Sequence, residues 1–249
     1  MKTITICNQK GGCGKTATAA AMAAGLVRRG FRVLAVDTDG QHSLTMICGT
    51  AQALPCSLSD VIAGRKRAAD AIRPTVQGFD VLPGDLNLSE LPKSYRLDTL
   101  RGILGTVAAS YDFCVIDTPP ALSVMTMSAL VAASVVVIPT LPDVLSLYGL
   151  DQIAETIDAI RPYNDRLRVG VLLTQYSERR NIDRTMKETI ASRAQEMGAT
   201  VYAATIRTGV AVPEANLLRQ DIYTSAPRAG VTADYTAFID EFLKGAQHG

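Results

Sequence analysis

The chain has little of what would send it to a membrane, a secreted scaffold or a nucleic-acid coat. Its 249 residues carry 25 Lys and Arg against 24 Asp and Glu, a formal net charge of +1. That balance argues against a protein that covers nucleic acid along its whole surface and leaves only a local basic patch open. No run of about 18 apolar residues occurs, so no helical span is expected. Met1-Lys2-Thr3 runs straight into an apolar segment, leaving no room for a signal peptide. The five cysteines (7, 13, 48, 56 and 114) are odd in number and lack C-x-x-C spacing. Cys7 and Cys114 lie inside apolar runs, so buried thiols in a reducing cytoplasm are expected, with a shared iron–sulfur site as the alternative. Repeats, low-complexity linkers and composition breaks are missing too, and one domain over residues 1–249 is expected.

What is present is a large apolar fraction, 47% against 20% charged. It is arranged in short runs: Thr3–Cys7, Arg32–Val36, Asp80–Leu82, Phe113–Ile116, Ser134–Pro139, Val169–Thr174 and Val201–Ile206. Several are nearly continuous in Val, Ile, Leu and Cys, the mark of parallel strands buried on both faces. Helical stretches separate them. Ala17–Arg29 ends at Gly30, Tyr148–Ile160 is a second, and Ile182–Met197 is closed by Gly198. The alternation predicts a doubly wound α/β fold, a mostly parallel sheet flanked by helices, with ligands at the carboxyl ends of its strands.

The most informative run is Lys10-Gly11-Gly12-Cys13-Gly14-Lys15-Thr16, between the first strand and the first helix. It fits the phosphate-loop pattern G-x-x-x-x-G-K-[ST] over Asn8–Thr16 when the first Gly is relaxed. The glycines let backbone N–H groups converge on phosphate oxygens, and the helix that follows adds its positive end. Lys15 supplies a point charge and Thr16 a hydroxyl for Mg²⁺. Lys10 is a second ammonium on the same loop. It would be repelled by Lys15 unless further negative charge is present, such as the triphosphate of a facing subunit; the plain alternative is a solvated loop lysine.

Asp37-Thr38-Asp39-Gly40-Gln41 follows the second strand and falls beside that loop in such a fold. One carboxylate can hold a metal-bound water and the other orient an attacking water; the alternative is a polar strand end with a capping Asp. Phe113-Cys114-Val115-Ile116-Asp117-Thr118-Pro119-Pro120 is an apolar strand ending in Asp, the Walker B arrangement.

Taken in this order, Lys10–Thr16, Asp37–Gln41, Asp117–Pro120 and Thr205–Ala215 resemble the ParA/MinD group of deviant Walker A ATPases, P-loop NTPases, and more closely its ParA-type partition members. Val81–Leu86 and Leu172–Tyr176 agree as well, so the resemblance spans nearly the whole chain. It implies ATP and Mg²⁺ as cofactors and hydrolysis to ADP and phosphate. It implies that Lys10 reaches across an ATP-bound homodimer, that Lys15 binds phosphates in its own subunit, and that Asp39 positions the hydrolytic water. Gly11, Gly12, Cys13, Gly14, Lys15, Thr16 and Ala17 would cradle the nucleotide, with Thr174 and Arg207 near the adenine. Thr16 would bind the metal, and Asp37 and Asp117 would support its water shell. Departures from the pattern are Gly40 where Pro is usual, His42-Ser43 where Gly-Asn is usual, and Ile206-Arg207-Thr208-Gly209 in place of Ile-Pro-Arg-Asn.

The family's ATP dimers bind DNA non-specifically and release it when a centromere-binding, ParB-like adaptor stimulates hydrolysis. Residues 161–193 carry a net local charge of +4. Arg180, Arg184 and Lys187 recur at helical spacing, a face able to meet phosphates without reading bases. Arg179 matches a position that the resembled family uses near its DNA surface, and Arg219 is another candidate; the alternative is a solvated helix with ordinary ion pairs. Arg65-Lys66-Arg67, a second basic cluster, reads as a wet helix end, the alternative being an extension of the same surface. No helix-turn-helix segment precedes the first strand. The tail from Asp234 to Lys244 is more acidic than basic, which speaks against MinD-like membrane attachment. The expected protein is therefore cytoplasmic, nucleoid-associated, and partitions or positions plasmid, integrative-element or chromosomal DNA. The alternatives are a MinD-like positioning ATPase for other cargo and an ATP-dependent metabolic enzyme on the same fold.

Overall fold

The structure, a computed structural model, describes residues 1–49 and 56–247. The first half of the chain runs β1 (Lys2–Ile6), α1 (Lys15–Val27), β2 (Val33–Asp37), α2 (Ser43–Ile47), α3 (Leu58–Ile62), α4 (Ala68–Ala71), β3 (Arg73–Pro74), β4 (Asp80–Leu82), α5 (Thr99–Gly105) and β5 (Phe113–Asp117). The second half runs α6 (Val124–Ala132), β6 (Val135–Thr140), α7 (Val144–Ile160), β7 (Arg168–Leu173), α8 (Asn181–Glu196), β8 (Thr200–Val201), α9 (Ala211–Leu218), α10 (Ile222–Ser225) and α11 (Gly230–Gln247). The strands form one sheet in the order β3-β4-β2-β5-β1-β6-β7-β8. All pairs are parallel except β3 with β4.

Every residue of β2, β5 and β6 is buried, because helices cover both faces. The pleat divides each strand between two cores. Val33 and Ala35 of β2 face α1 and α11, with Met22, Leu26 and Phe238. Leu34 and Val36 face α3, α5 and α6, with Leu58, Leu100 and Met125. The other half of that second face packs Val136 and Val171 against Leu150 and Ile153 of α7 and Ile190 of α8.

The expected strands are present to within a residue at their ends, with two differences. β3 is an added antiparallel edge of two residues, Arg73–Pro74. The expected strand over Val201–Ile206 is only Thr200–Val201 plus a single bridge between Thr174 and Ile206. The ladder stops there because the amides of Ala203 and Ala204 are taken by the Glu241 carboxylate of α11.

Register then sets the site. Asp117 lies level with Ile6 on one side and Asp37 on the other. Two carboxylates thus stand side by side at the carboxyl edge of the sheet, next to the loop that leaves β1.

Candidate functional site

The loop from β1 to α1 is built to hold an anion. Asn8 fastens its entry: its Nδ2 donates to Pro139 O at 2.6 Å, and its Oδ1 accepts from Lys10 N at 3.0 Å. Gly12 and Gly14 have φ of 75° and 89°, a region that side chains rarely adopt. Gly14 stands at the N-cap of α1, where no side chain caps the helix. The first-turn N–H groups are left for a ligand, and the helix dipole favours a negative one. Lys15 is buried and its Nζ donates to Lys10 O at 3.1 Å. Cys13 is sealed beneath the loop, and burial pushes its thiol up. Ala17 is half-buried on α1, facing Val212 and Tyr235 across a narrow crevice.

Beside the loop lies a cation-shaped need. Thr16 Oγ1 donates to Asp117 Oδ2 at 2.7 Å, while Asp117 Oδ1 is buried and has no partner. Burial first, and then the charge of Asp37, raise the Asp117 carboxyl well above the usual carboxylate range. Burial likewise raises Asp37, with Asp39 adding to it. Two crowded, desolvated carboxylates and a hydroxyl, one oxygen unpaired, fit Mg²⁺, a hard cation that takes few protein oxygens and keeps several waters. Both oxygens of Asp37 are already bonded: Oδ2 accepts from Thr45 N and Oγ1 at 2.8 and 2.7 Å, and Oδ1 from Asp39 N at 3.2 Å, which leaves Oδ1 one further lone pair for a metal-bound water. Thr45 Oγ1 also accepts from Gly84 N at 3.0 Å. Asp37 therefore hangs the segment after β2 on the end of β4. No linear pattern announces Thr45.

Asp39 is half-buried at the turn, its Oδ1 accepting from Gln41 N at 2.9 Å. Gly40, where the resembled family has Pro, faces the turn after β4. A Cβ there would meet the exposed Ser89 Oγ of the Leu86–Ser89 turn at 2.5 Å, a contact that rotation of that hydroxyl relieves, while the turn's backbone stays at 3.7 Å or more. His42, at φ 44°, caps α2 and Ser43 begins it.

The structure brings Lys15, Thr16, Asp37, Asp39 and Asp117 to one edge. It gives Lys10 a partner that sequence reasoning missed. Lys10 Nζ lies 2.5 Å from Asp143 Oδ2 and 3.5 Å from Ser146 Oγ, in the same chain. Burial pushes the Asp143 carboxyl up, but the Lys10 ammonium and the Ser146 amide outweigh it and hold it below the usual range. The local signal for Asp143 was its N-cap spacing, Asp143-x-x-Ser146, ahead of α7. That cap starts α7 at Val144 rather than Tyr148.

Thr174 is buried, and its Oγ1 donates to Cys13 O at 2.8 Å. Arg207 lies against α11: its Nε and Nη2 donate to the two oxygens of Asp234 at 2.7 and 2.8 Å. Arg207 and Thr208 line a cavity of about 930 Å³ with Tyr176, Arg179 and Arg180. Arg179 is exposed there. Arg180 is the N-cap of α8, one residue ahead of the helix, and pairs with buried Asp183 at 3.0 Å. Arg184 bonds Asn181, and Lys187 lies over the Tyr176 ring at 5.4 Å. Arg219 is exposed at the end of α9 with φ 54°. Arg65 and Arg67 pair with Asp60 and Asp70, as a wet helix end would. Among the described residues no helix is long and apolar enough to cross a membrane.

Comparison with known proteins agrees with this geometry. Residues 1–169 match a family described as an AAA domain. The chain is 34% identical over 228 residues to the chromosome partitioning protein ParA of Caulobacter vibrioides, covering 86% of this chain and 84% of that one. It is 32% identical to the sporulation initiation inhibitor protein Soj of Bacillus subtilis, over 92% of both. A cobyrinic acid a,c-diamide synthase from Mycobacterium smegmatis, solved with bound ADP and magnesium, superposes with a TM-score of 0.86 at 28% identity, covering 99% of this chain and 96% of that one. On its phosphate loop, its aspartates and these relatives, the chain belongs to the ParA/MinD family of P-loop ATPases.

Proposed function

We propose that the chain is a partition ATPase that binds Mg-ATP, dimerises on it, holds DNA without reading sequence, and lets go when an adaptor protein stimulates hydrolysis. The observation that carries this is the convergence at one sheet edge of an uncapped helix start, Lys15, the Thr16–Asp117 pair with its orphaned oxygen, and Asp39. Lys15 and the loop amides bind the β- and γ-phosphates. Thr16, with Asp37 and Asp117 through water, holds Mg²⁺, which neutralises charge on the phosphate oxygens. Asp39, on the turn beside them, orients the attacking water.

Dimerisation is supported by the rim. The loops after β5 and β6 flank the phosphate loop, because β1 lies between those strands. They lead into α6 and α7, whose first turns carry Val124, Val144, Leu145 and Tyr148, all exposed, with Tyr148 at 65% and Leu145 at 69%. A second copy across the open cradle would cover them and bring its own Lys10 to the phosphates. DNA is the natural ligand of Arg179, Arg184 and Arg219, whose charge is free of buried acidic partners.

A second reading, an ATP-dependent enzyme acting on a small acid, draws on the M. smegmatis relative's name and on the cavity lined by Arg179 and Arg207. One experiment separates the two. Retention on non-specific duplex is measured with no nucleotide, with ADP and with a slowly hydrolysed ATP analogue, across salt. Retention only with the analogue, falling steeply with salt, is expected. Retention indifferent to nucleotide, or none at low salt, removes the partition reading.

A further inference from the structure

We propose that Thr174 and Gln175 are positioning residues for the phosphate cradle, gripping it from behind through the carbonyls of Cys13 and Gly12. The inference deepens the nucleotide reading and rests on it.

The geometry is specific. Thr174 Oγ1 donates to Cys13 O at 2.8 Å and Gln175 Nε2 donates to Gly12 O at 2.8 Å. Two consecutive side chains thus hold two consecutive carbonyls of a loop more than 160 residues away. In a planar trans peptide the C=O of one residue and the N–H of the next point in opposite directions. Pulling Gly12 O and Cys13 O outward therefore turns the amides of Cys13 and Gly14 inward, where an anion nest needs them. A glycine-rich loop has no side chains of its own to fix these planes, so an external strap supplies the order its composition removes.

The strap is itself held in place. Thr174 bridges to Ile206, and Tyr176 N donates to Ile206 O at 3.0 Å. Between them Gln175 takes φ 53°, a conformation rare outside glycine. That turn carries the chain off β7 and sends the Gln175 side chain to the phosphate loop rather than along the strand. Arg180 Nη2 donates to Gln175 O at 2.9 Å and fixes the turn from the far side. With its hydroxyl donating to Cys13 O at 2.8 Å and lying 3.4 Å from Thr140 O, Thr174 serves the phosphates and not the base, a different role from the one the family resemblance implies for it.

The test uses the full chain and two ligands, Mg-ATP and magnesium inorganic triphosphate, which has no base. Both compete against a fluorescent ATP analogue. Gln175→Met keeps the length and loses the donor; Thr174→Val keeps the shape and loses the donor; Thr174→Ser restores it. The expected result is an affinity loss of about three- to tenfold for Met and for Val, the size of one neutral hydrogen bond. The factor should be equal for the two ligands, and Ser should recover it. Gln175 is exposed, so Gln175→Met should leave the ligand-free melting temperature unchanged while shrinking the rise that Mg-ATP produces. Wild-type affinity in Gln175→Met and Thr174→Val overturns the proposal. So does a Thr174→Val loss confined to ATP, which would return Thr174 to the base. A wild-type chain that binds neither triphosphate overturns the nucleotide reading itself.

Discussion

Replacing Asp143 with Asn should tighten the ATP-dependent dimer. In the single chain Lys10 is not waiting in solvent; it is bound to Asp143, and in the proposed dimer the pair must part for Lys10 to reach a neighbour's phosphates. The two side chains are 23% and 42% exposed, so the pair sits near the top of the range for surface ion pairs, about 1 kcal/mol. A twofold dimer breaks it twice. Removing the carboxylate charge should therefore favour assembly by up to about 2 kcal/mol, or roughly 30-fold in dimer Kd. Asn is chosen over Ala because Asp143 Oδ1 also accepts from Ser146 N at 2.9 Å and caps α7. Losing that cap would cost about 1 kcal/mol on its own, whereas an amide oxygen can still fill it. The assay is sedimentation velocity over a dilution series with Mg²⁺ and a slowly hydrolysed ATP analogue. A dimer Kd within twofold of wild type, in a variant with an unchanged ligand-free melting temperature, would refute the idea that Asp143 competes for Lys10.

Asp39→Ala should slow turnover at least about 100-fold, the scale of a lost water-orienting base, while leaving the ATP dimer assembled; normal turnover by phosphate release would remove Asp39 from the chemistry. Arg179→Glu with Arg184→Glu should weaken retention on non-specific duplex and flatten its salt dependence without changing ATP affinity; unchanged retention would move the DNA surface elsewhere. Arg180→Glu should behave differently, lowering the melting temperature, because it turns a carboxylate toward buried Asp183; equal melting of the Arg180 and Arg184 variants would count against that distinction. Phe238→Ala empties a fully buried position whose ring meets Tyr202 edge-on at 4.9 Å, and urea unfolding should show a loss of about 3–5 kcal/mol; a loss under 1 kcal/mol would mean that the face under α11 is loosely packed.

Much of this molecule is legible in its linear order, and the boundary of legibility has physical causes. Strands such as Val33–Asp37 announce themselves because burial on both faces demands unbroken apolar residues. Arg73–Pro74 does not, since an edge strand of two residues needs no apolar run and can carry proline. Val201–Ile206 read as a strand because its propensity is right; a carboxylate 37 and 38 residues later took its amides instead. In the site, the phosphate loop and the Asp pair are local patterns with local reasons. The partners that set their geometry are not: Asp143 for Lys10, Thr45 for Asp37, and Thr174 and Gln175 for the loop carbonyls. Each is a single ordinary residue whose meaning appears only once the sheet order has brought it across the chain.

All five thiols are free and buried, and Cys13 lies directly under the phosphate cradle with its proton held on by burial. An alkylating reagent can meet that sulfur only in the moments when the loop lifts away from α1. Its labelling rate, followed on the Cys13 peptide so that it is told apart from the other four thiols, is thus a built-in stopwatch for breathing of the cradle.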